Sequence, residues 1–308
     1  MRCLTDTGGT LGFRALVIVE YEPVQHGLID RGDAEIHYQV FGEGDRALVL
    51  LPTWSIVHSD YWRWQVPHFA ERYRVVAFDG RGNGASSRPV TAEAYADALF
   101  AADALAVMDR VEVERAALLS VSAGAAWELI LAATARERVA AAVFIGASLP
   151  LGEPLPDRAA AMAHFDEPQA GYEGWLKFNR HYWQADWPGF LRFFFSRCFS
   201  EPGSDAEIEH FVQMGLDTTP ETILLTVDAP GLDRHDAEAL AREVSCPTLV
   251  MHGTGDAISS PTRGVELARL TTGELALMPE VGHEPQCRWP QDVNTMLDQF
   301  LERHWPAI

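Results

Sequence analysis

Ala116-Ala117-Leu118-Leu119-Ser120-Val121-Ser122-Ala123-Gly124 is the stretch on which the reading of the chain turns. An apolar strand runs into Ser120-Val121-Ser122-Ala123-Gly124 and out into residues 124 to 136, whose apolar positions recur at helical spacing. A strand-to-helix turn this tight holds its apex residue in a strained conformation, and small residues two before and two after it let neighbouring backbone pass closely. Ser122 occupies the apex, and Ser120 is small enough to stand where a glycine is usual. The turn also places Ser122 at a helix N-terminus, where free N–H groups and the helix dipole favour negative charge on an attacked carbonyl oxygen. The Ala123 N–H is one expected donor to that oxyanion.

A serine hydroxyl is a weak nucleophile at neutral pH, so a histidine must take its proton and a carboxylate must orient the imidazole. Downstream, the candidate strand Pro247 to His252 ends in Gly253-Thr254-Gly255-Asp256, a turn at the carboxyl end of a strand, where open α/β sheets gather active-site groups. Asp256 is therefore the candidate acid. Glu280-Val281-Gly282-His283-Glu284-Pro285 then sets His283 on a loop as candidate base, giving the chain order Ser, Asp, His.

Around these motifs, further strands are expected at Ala47 to Leu51, Arg74 to Phe78, Ala141 to Ile145 and Glu274 to Pro279, near-continuously apolar as strands buried on both faces are. Glu35 to Phe41 alternates polar and apolar residues before the turn-like Gly42-Glu43-Gly44-Asp45, as an antiparallel strand would. Helices are expected at 93 to 109, 262 to 270 and 291 to 303, the last with Val293, Met296, Leu297 and Phe300 on one face. This alternation builds a mostly parallel sheet with helices on both faces. From 152 to 240 the pattern changes: prolines punctuate helical pieces dense in aromatic residues, among them Trp175, Phe178, Trp183 and Phe190. The expected division is an N-terminal extension at 1–25, a core at 26–151 and 241–308, and a helical cap at 152–240 inserted between two strands.

Composition narrows the function classes. The formal net charge is −20, and Lys177 is the only lysine, so no basic stripe exists to neutralise a phosphate backbone. Nucleic acid and anionic membrane are excluded as expected partners, leaving a small-molecule substrate. No apolar run approaches the roughly 20 residues of a membrane span, and the N-terminus lacks a signal-peptide core, so a cytoplasmic protein, monomer or homodimer, is expected. Cys3, Cys198, Cys246 and Cys287 lie far apart without a C-x-x-C pair, which predicts reduced thiols and no metal site; no cofactor is expected either.

With these residues in place, the chain resembles the α/β-hydrolase superfamily from roughly Glu35 to Leu301. Asp79-Gly80-Arg81-Gly82-Asn83-Gly84-Ala85-Ser86 looks like the family's D-x-R-G-x-G-x-S turn after the fourth strand, and Gly282-His283 with Pro290 and Val293-Asn294 looks like its C-terminal signature. The resemblance implies an α/β-hydrolase fold with an eight-stranded sheet, and it makes the Asp79 turn a scaffold. It also implies a second oxyanion donor in Leu51-Pro52-Thr53-Trp54-Ser55-Ile56-Val57-His58, by position the Trp54 N–H, although Pro52-Thr53 stand where the family usually has His-Gly. More narrowly, Leu51 to Gly84 is similar to hydrolase domains carried beside bacterial nucleotide-cyclase domains, which nominates His58 and Trp127 for the pocket; Trp183 joins them from the aromatic cap. The implied activity is hydrolysis of an ester-like bond, with carbon–carbon bond hydrolysis of a diketone or dienoate, or binding with little turnover, as alternatives. Serine rather than aspartate at the apex removes haloalkane dehalogenation, which needs a carboxylate to form its alkyl intermediate.

Overall fold

The computed structural model describes residues 21–306. Eight strands form one sheet: β1 (Gln25–Asp30), β2 (Glu35–Phe41), β3 (Ala47–Leu50), β4 (Arg74–Phe78), β5 (Ala116–Val121), β6 (Val139–Ile145), β7 (Thr248–Gly253) and β8 (Glu274–Met278). Their spatial order is β1-β2-β4-β3-β5-β6-β7-β8, antiparallel at β1/β2 and β2/β4 and parallel elsewhere. This is the α/β-hydrolase fold that the sequence implied.

Helices α1 (Val66–Ala70), α2 (Asp97–Arg110) and α3 (Gly124–Thr134) join the strands up to β6. Between β6 and β7 come α4 (Pro156–Met162), α5 (Arg180–Ala185), α6 (Trp187–Cys198), α7 (Asp205–Leu216), α8 (Pro220–Asp228) and α9 (Arg234–Glu243). The chain then adds α10 (Pro261–Thr271), α11 (Pro285–Arg288) and α12 (Pro290–His304). None of the helices among the described residues is long and apolar enough to cross a membrane.

Side-chain alternation in the central strands builds two cores. On β5, Ala117, Leu119 and Val121 face one apolar cluster and Ala116 and Leu118 the other. The first cluster continues into Phe178, Trp183, Phe190, Phe194 and Phe195, so the aromatic wealth between β6 and β7 closes over one face of the sheet. α9 differs from its neighbours: Ala237 and Ala241 join the opposite cluster and the helix packs on α3 and α10, so the expected boundary at 240 falls inside a helix of the core layer.

β1 escaped the sequence reading. Its residues, Gln-His-Gly-Leu-Ile-Asp, alternate only between half-buried and exposed, as an edge strand with little apolar signal does. Val24 N–H already bonds Val40 O at 2.8 Å, so the expected extension cannot reach residue 25. The rest of that extension, and Cys3, lie outside the described residues.

The Asp79 turn is built as a scaffold. The Asp79 carboxylate accepts the N–H groups of Ser59 and Ala85, each at 2.9 Å, and meets His37 Nδ1 at 3.1 Å. Burial works against its charge, but these bonds prevail and hold its pKa at about 2. Arg81, 1% exposed, forms a fork onto Asp103 at 2.6 and 3.0 Å and reaches Asp33 at 2.6 Å. Breaking such a buried pair costs about 3–5 kcal/mol, because the remaining charge is stranded. Through Ser55 Oγ to Arg81 O (2.6 Å) and Asn83 Nδ2 to Ser55 O (3.0 Å), the turn grips the loop after β3.

Candidate active site

From β3 the chain steps outward to β4 by way of α1 and then crosses back over β3, by way of α2, to β5, so the strand order reverses between β3 and β5. In open α/β sheets the crevice beyond the strand ends at such a reversal is where ligands bind. Here that crevice lies between the loop after β3 and the turn after β5.

At the turn, Ser122 has φ +53°, a left-handed backbone that a residue with a Cβ adopts only under strain. The Ser122 N–H donates to Ile145 O at 3.0 Å and Ser122 O accepts from Ser148 N–H at 3.0 Å, fixing the apex against the end of β6. Gly124 explains the requirement for a small residue two positions on: a Cβ there would stand 2.4 Å from Pro52 O and 3.4 Å from Ser120 Cβ. The missing side chain lets the β3 loop lie against the start of α3, and this brings Trp54 and Ala123 to the same crevice. Neither the Trp54 nor the Ala123 N–H makes a backbone hydrogen bond among the described residues. Beneath the turn, the buried Glu128 accepts Val143 N–H at 2.8 Å beside Ser120, and burial pushes its carboxyl well above the usual range.

The structure brings Asp256 and His283 together. His283 Nδ1 lies 2.7 Å from Asp256 Oδ2, and the other carboxylate oxygen accepts the N–H groups of Ile258 and Ser259, each at 2.8 Å. Burial disfavours both charges, yet the pair's mutual attraction outweighs it: the Asp256 pKa falls well below the carboxylate range and that of His283 rises above its ordinary value. The imidazole lies over Gly146, where a Cβ would come within 3.3 Å of Nδ1 and 3.4 Å of Cε1. Gly146 directly follows Ile145, the residue that anchors the Ser122 N–H, so serine and imidazole both lie against the same strand end. The Ser122 hydroxyl itself turns to Ser148 Oγ at 3.2 Å, and no hydrogen bond joins it to His283 among the described residues.

Sequence reasoning missed four residues that contact the candidate site, His252, Ser148, Cys198 and Glu201. His252, fully buried at the end of β7, points Nε2 at Asp256 Oδ2 (3.1 Å) and at Ser259 O (3.1 Å). Its place four residues before the acid on a strand end was the available signal. Ser148 was hidden because only β6 ending at Ile145 brings it to the apex. Cys198 acts through its backbone: its carbonyl accepts His283 N–H at 3.0 Å, while Glu201 accepts Gly282 N–H at 2.7 Å, tying the histidine loop to the end of α6.

The three pocket nominations need correction. Trp127 points into the other core, stacked on Phe100 at 3.9 Å and bonded to Asp97 at 2.7 Å, because five residues along a helix from the apex reach a different face. His58 belongs to a cleft of about 500 Å³ lined also by Asp60, Arg63 and Asp79, and it faces Asp217 at 3.6 Å rather than Ser122. Trp183 is wholly buried, with its N–H on Lys177 O at 3.1 Å; it supports the Trp54 ring, 5.9 Å away, from behind. Trp54 bonds Thr226 Oγ1 at 2.7 Å and packs on Phe178 and Phe194, which locks the loop after β3 under the helical insert. Among the described residues no group of His, Cys, Asp and Glu could hold a metal ion.

Residues 46–287 match the family model of the alpha/beta hydrolase fold. Among curated proteins the chain is similar to 3-oxoadipate enol-lactonase 2 of Acinetobacter baylyi, 22% identical over 88% of this chain and 94% of that one. Similar solved structures include an esterase from Exiguobacterium antarcticum, with TM-score 0.76 and 18% identity over 90% of this chain and 100% of that one. Another is the enol-lactonase of Burkholderia xenovorans, with TM-score 0.71 and 20% identity over 89% and 99%. At these identities the two structures bear on the fold alone.

Proposed function

Because the chain belongs to the α/β-hydrolase family of enzymes, we propose that it is a serine hydrolase acting on an ester-like bond of a small molecule, lactones included, through Ser122, His283 and Asp256. The observation that supports the reading is that a strained serine and an imidazole already paired with a buried carboxylate both lie against the end of β6. The name of the similar curated protein, an enol-lactonase, supports the same bond type.

The reaction begins when the Ser122 hydroxyl swings from Ser148 to His283 Nε2, a hydrogen bond that tightens with substrate in place. Oγ attacks the carbonyl carbon as the imidazole takes its proton, and the N–H groups of Ala123 and Trp54 receive the oxyanion. Collapse breaks the carbon–oxygen bond, and the imidazolium returns the proton to the departing alkoxide. Water, deprotonated by the same nitrogen, then releases the acid and restores the serine.

A fluorophosphonate probe tests this directly. One equivalent should attach at Ser122, and Ser122→Ala should abolish the attachment. Undiminished labelling of Ser122→Ala would reject the assignment of the nucleophile, and an unlabelled wild type would favour a binding protein.

A further inference from the structure

Resting on that reading, we infer that the substrate carries a carboxylate, received by Arg158 of α4 with Arg263 of α10 behind it. Arg158 extends from the helical insert to the loop that carries the acid: its Nη1 donates to Ile258 O, two residues beyond Asp256. Its guanidinium also lies over the rings of Phe178, 5.3 Å away, and Trp175, 5.7 Å away. Phe178 in turn packs on Trp54 of the loop after β3, so the cation lies between the acid loop and the oxyanion loop, partly open to solvent.

Arg158 makes no ion pair among the described residues, and neither does Arg263, whose Nε is buried without a partner. Asp256 attracts both from a distance, but its oxygens are already engaged by His283, His252, Ile258 N–H and Ser259 N–H. The two guanidiniums repel one another; burial first, and Arg263 second, push Arg158 down to about 10. Two like charges held together in a partly dry, aromatic-lined place are costly unless something supplies the opposite sign. The chain has acidic residues in excess, 44 against 24 basic ones, yet none of those described forms an ion pair with either guanidinium. A substrate carboxylate fits the vacancy in charge, because a guanidinium offers it a planar fork of donors. Without this local reversal, the field of a chain with net charge −20 would turn such a substrate away.

Two esters of matched length separate the possibilities: the phenyl hemi-ester of glutaric acid and phenyl hexanoate. The wild type should prefer the hemi-ester in kcat/KM, and Arg158→Gln should reduce the ratio of the two by about 10-fold or more, mainly through KM, with Arg158→Lys recovering part of it. Glutarate alone, followed by calorimetry, should bind the wild type and Ser122→Ala alike and lose at least about 10-fold in affinity for Arg158→Gln. Equal loss on both esters would mean that Arg158 merely ties α4 to the acid loop, and a wild type indifferent to the carboxylate would equally overturn the inference. Glutarate binding that depends on Arg158, in a chain whose Ser122 takes no fluorophosphonate, would instead sustain the anion site and reject the hydrolase.

Discussion

At the scale of the residue, the decisive relation is between Asp256 and the two imidazoles that share its Oδ2. For His283, burial lowers the pKa and the Asp256 charge raises it, with the second effect prevailing. Since the proposed mechanism uses the neutral imidazole, kcat/KM should climb with pH through a midpoint above the ordinary histidine value of ~6.5. Asp256→Asn removes the raising influence and leaves burial, so the midpoint should move down while kcat drops by roughly 10⁴-fold, the tautomer no longer being held. The amide oxygen can still accept Ile258 and Ser259 N–H, so folding should survive, as circular dichroism would show. A pH–rate midpoint that stays in place in Asp256→Asn would mean that another group sets it. Ser122, Asp256 and His283 were legible as candidates because each sits at the end of an apolar strand or in a Gly-marked turn. His58, Trp127 and Trp183 were misread because nearness along the chain or aromatic character says nothing about which side of a sheet a side chain enters.

Among the elements, strand ends hold the proposed catalytic groups. β2, β4 and β5 run where the apolar pattern put them, and β3, β6, β7 and β8 differ only at their termini, because buried parallel strands leave a dense apolar record. β1 left none, being half exposed. Equally hidden was the end of β6, where Gly146 takes φ +53° and lets the His283 ring lie on its Cα. Gly146→Ala should cost about 1–2 kcal/mol from backbone conformation, lowering the melting temperature by a few degrees. Its Cβ would also press on the imidazole, so fluorophosphonate labelling at Ser122 should slow by about 10-fold or more, the cost of a misplaced catalytic group. Labelling at the wild-type rate in a folded Gly146→Ala would place the ring elsewhere in solution.

For the whole molecule, the helices between β6 and β7 were foreseen from their prolines and aromatic residues, but not their attachment to the site, since backbone contacts such as Cys198 O to His283 N–H leave no trace in side-chain identity. That tether, with Glu201 holding the neighbouring Gly282 N–H, has a mechanical meaning. The imidazole hangs from the last turn of α6, so the insert cannot lift away without unmooring it. Amide hydrogen exchange at His283 and along the end of α6 should then share one opening rate; a His283 amide that exchanges independently would show the two to be uncoupled. Under the proposed mechanism, an insert that lifts takes the general base out of line with it, and turnover stops until it settles back.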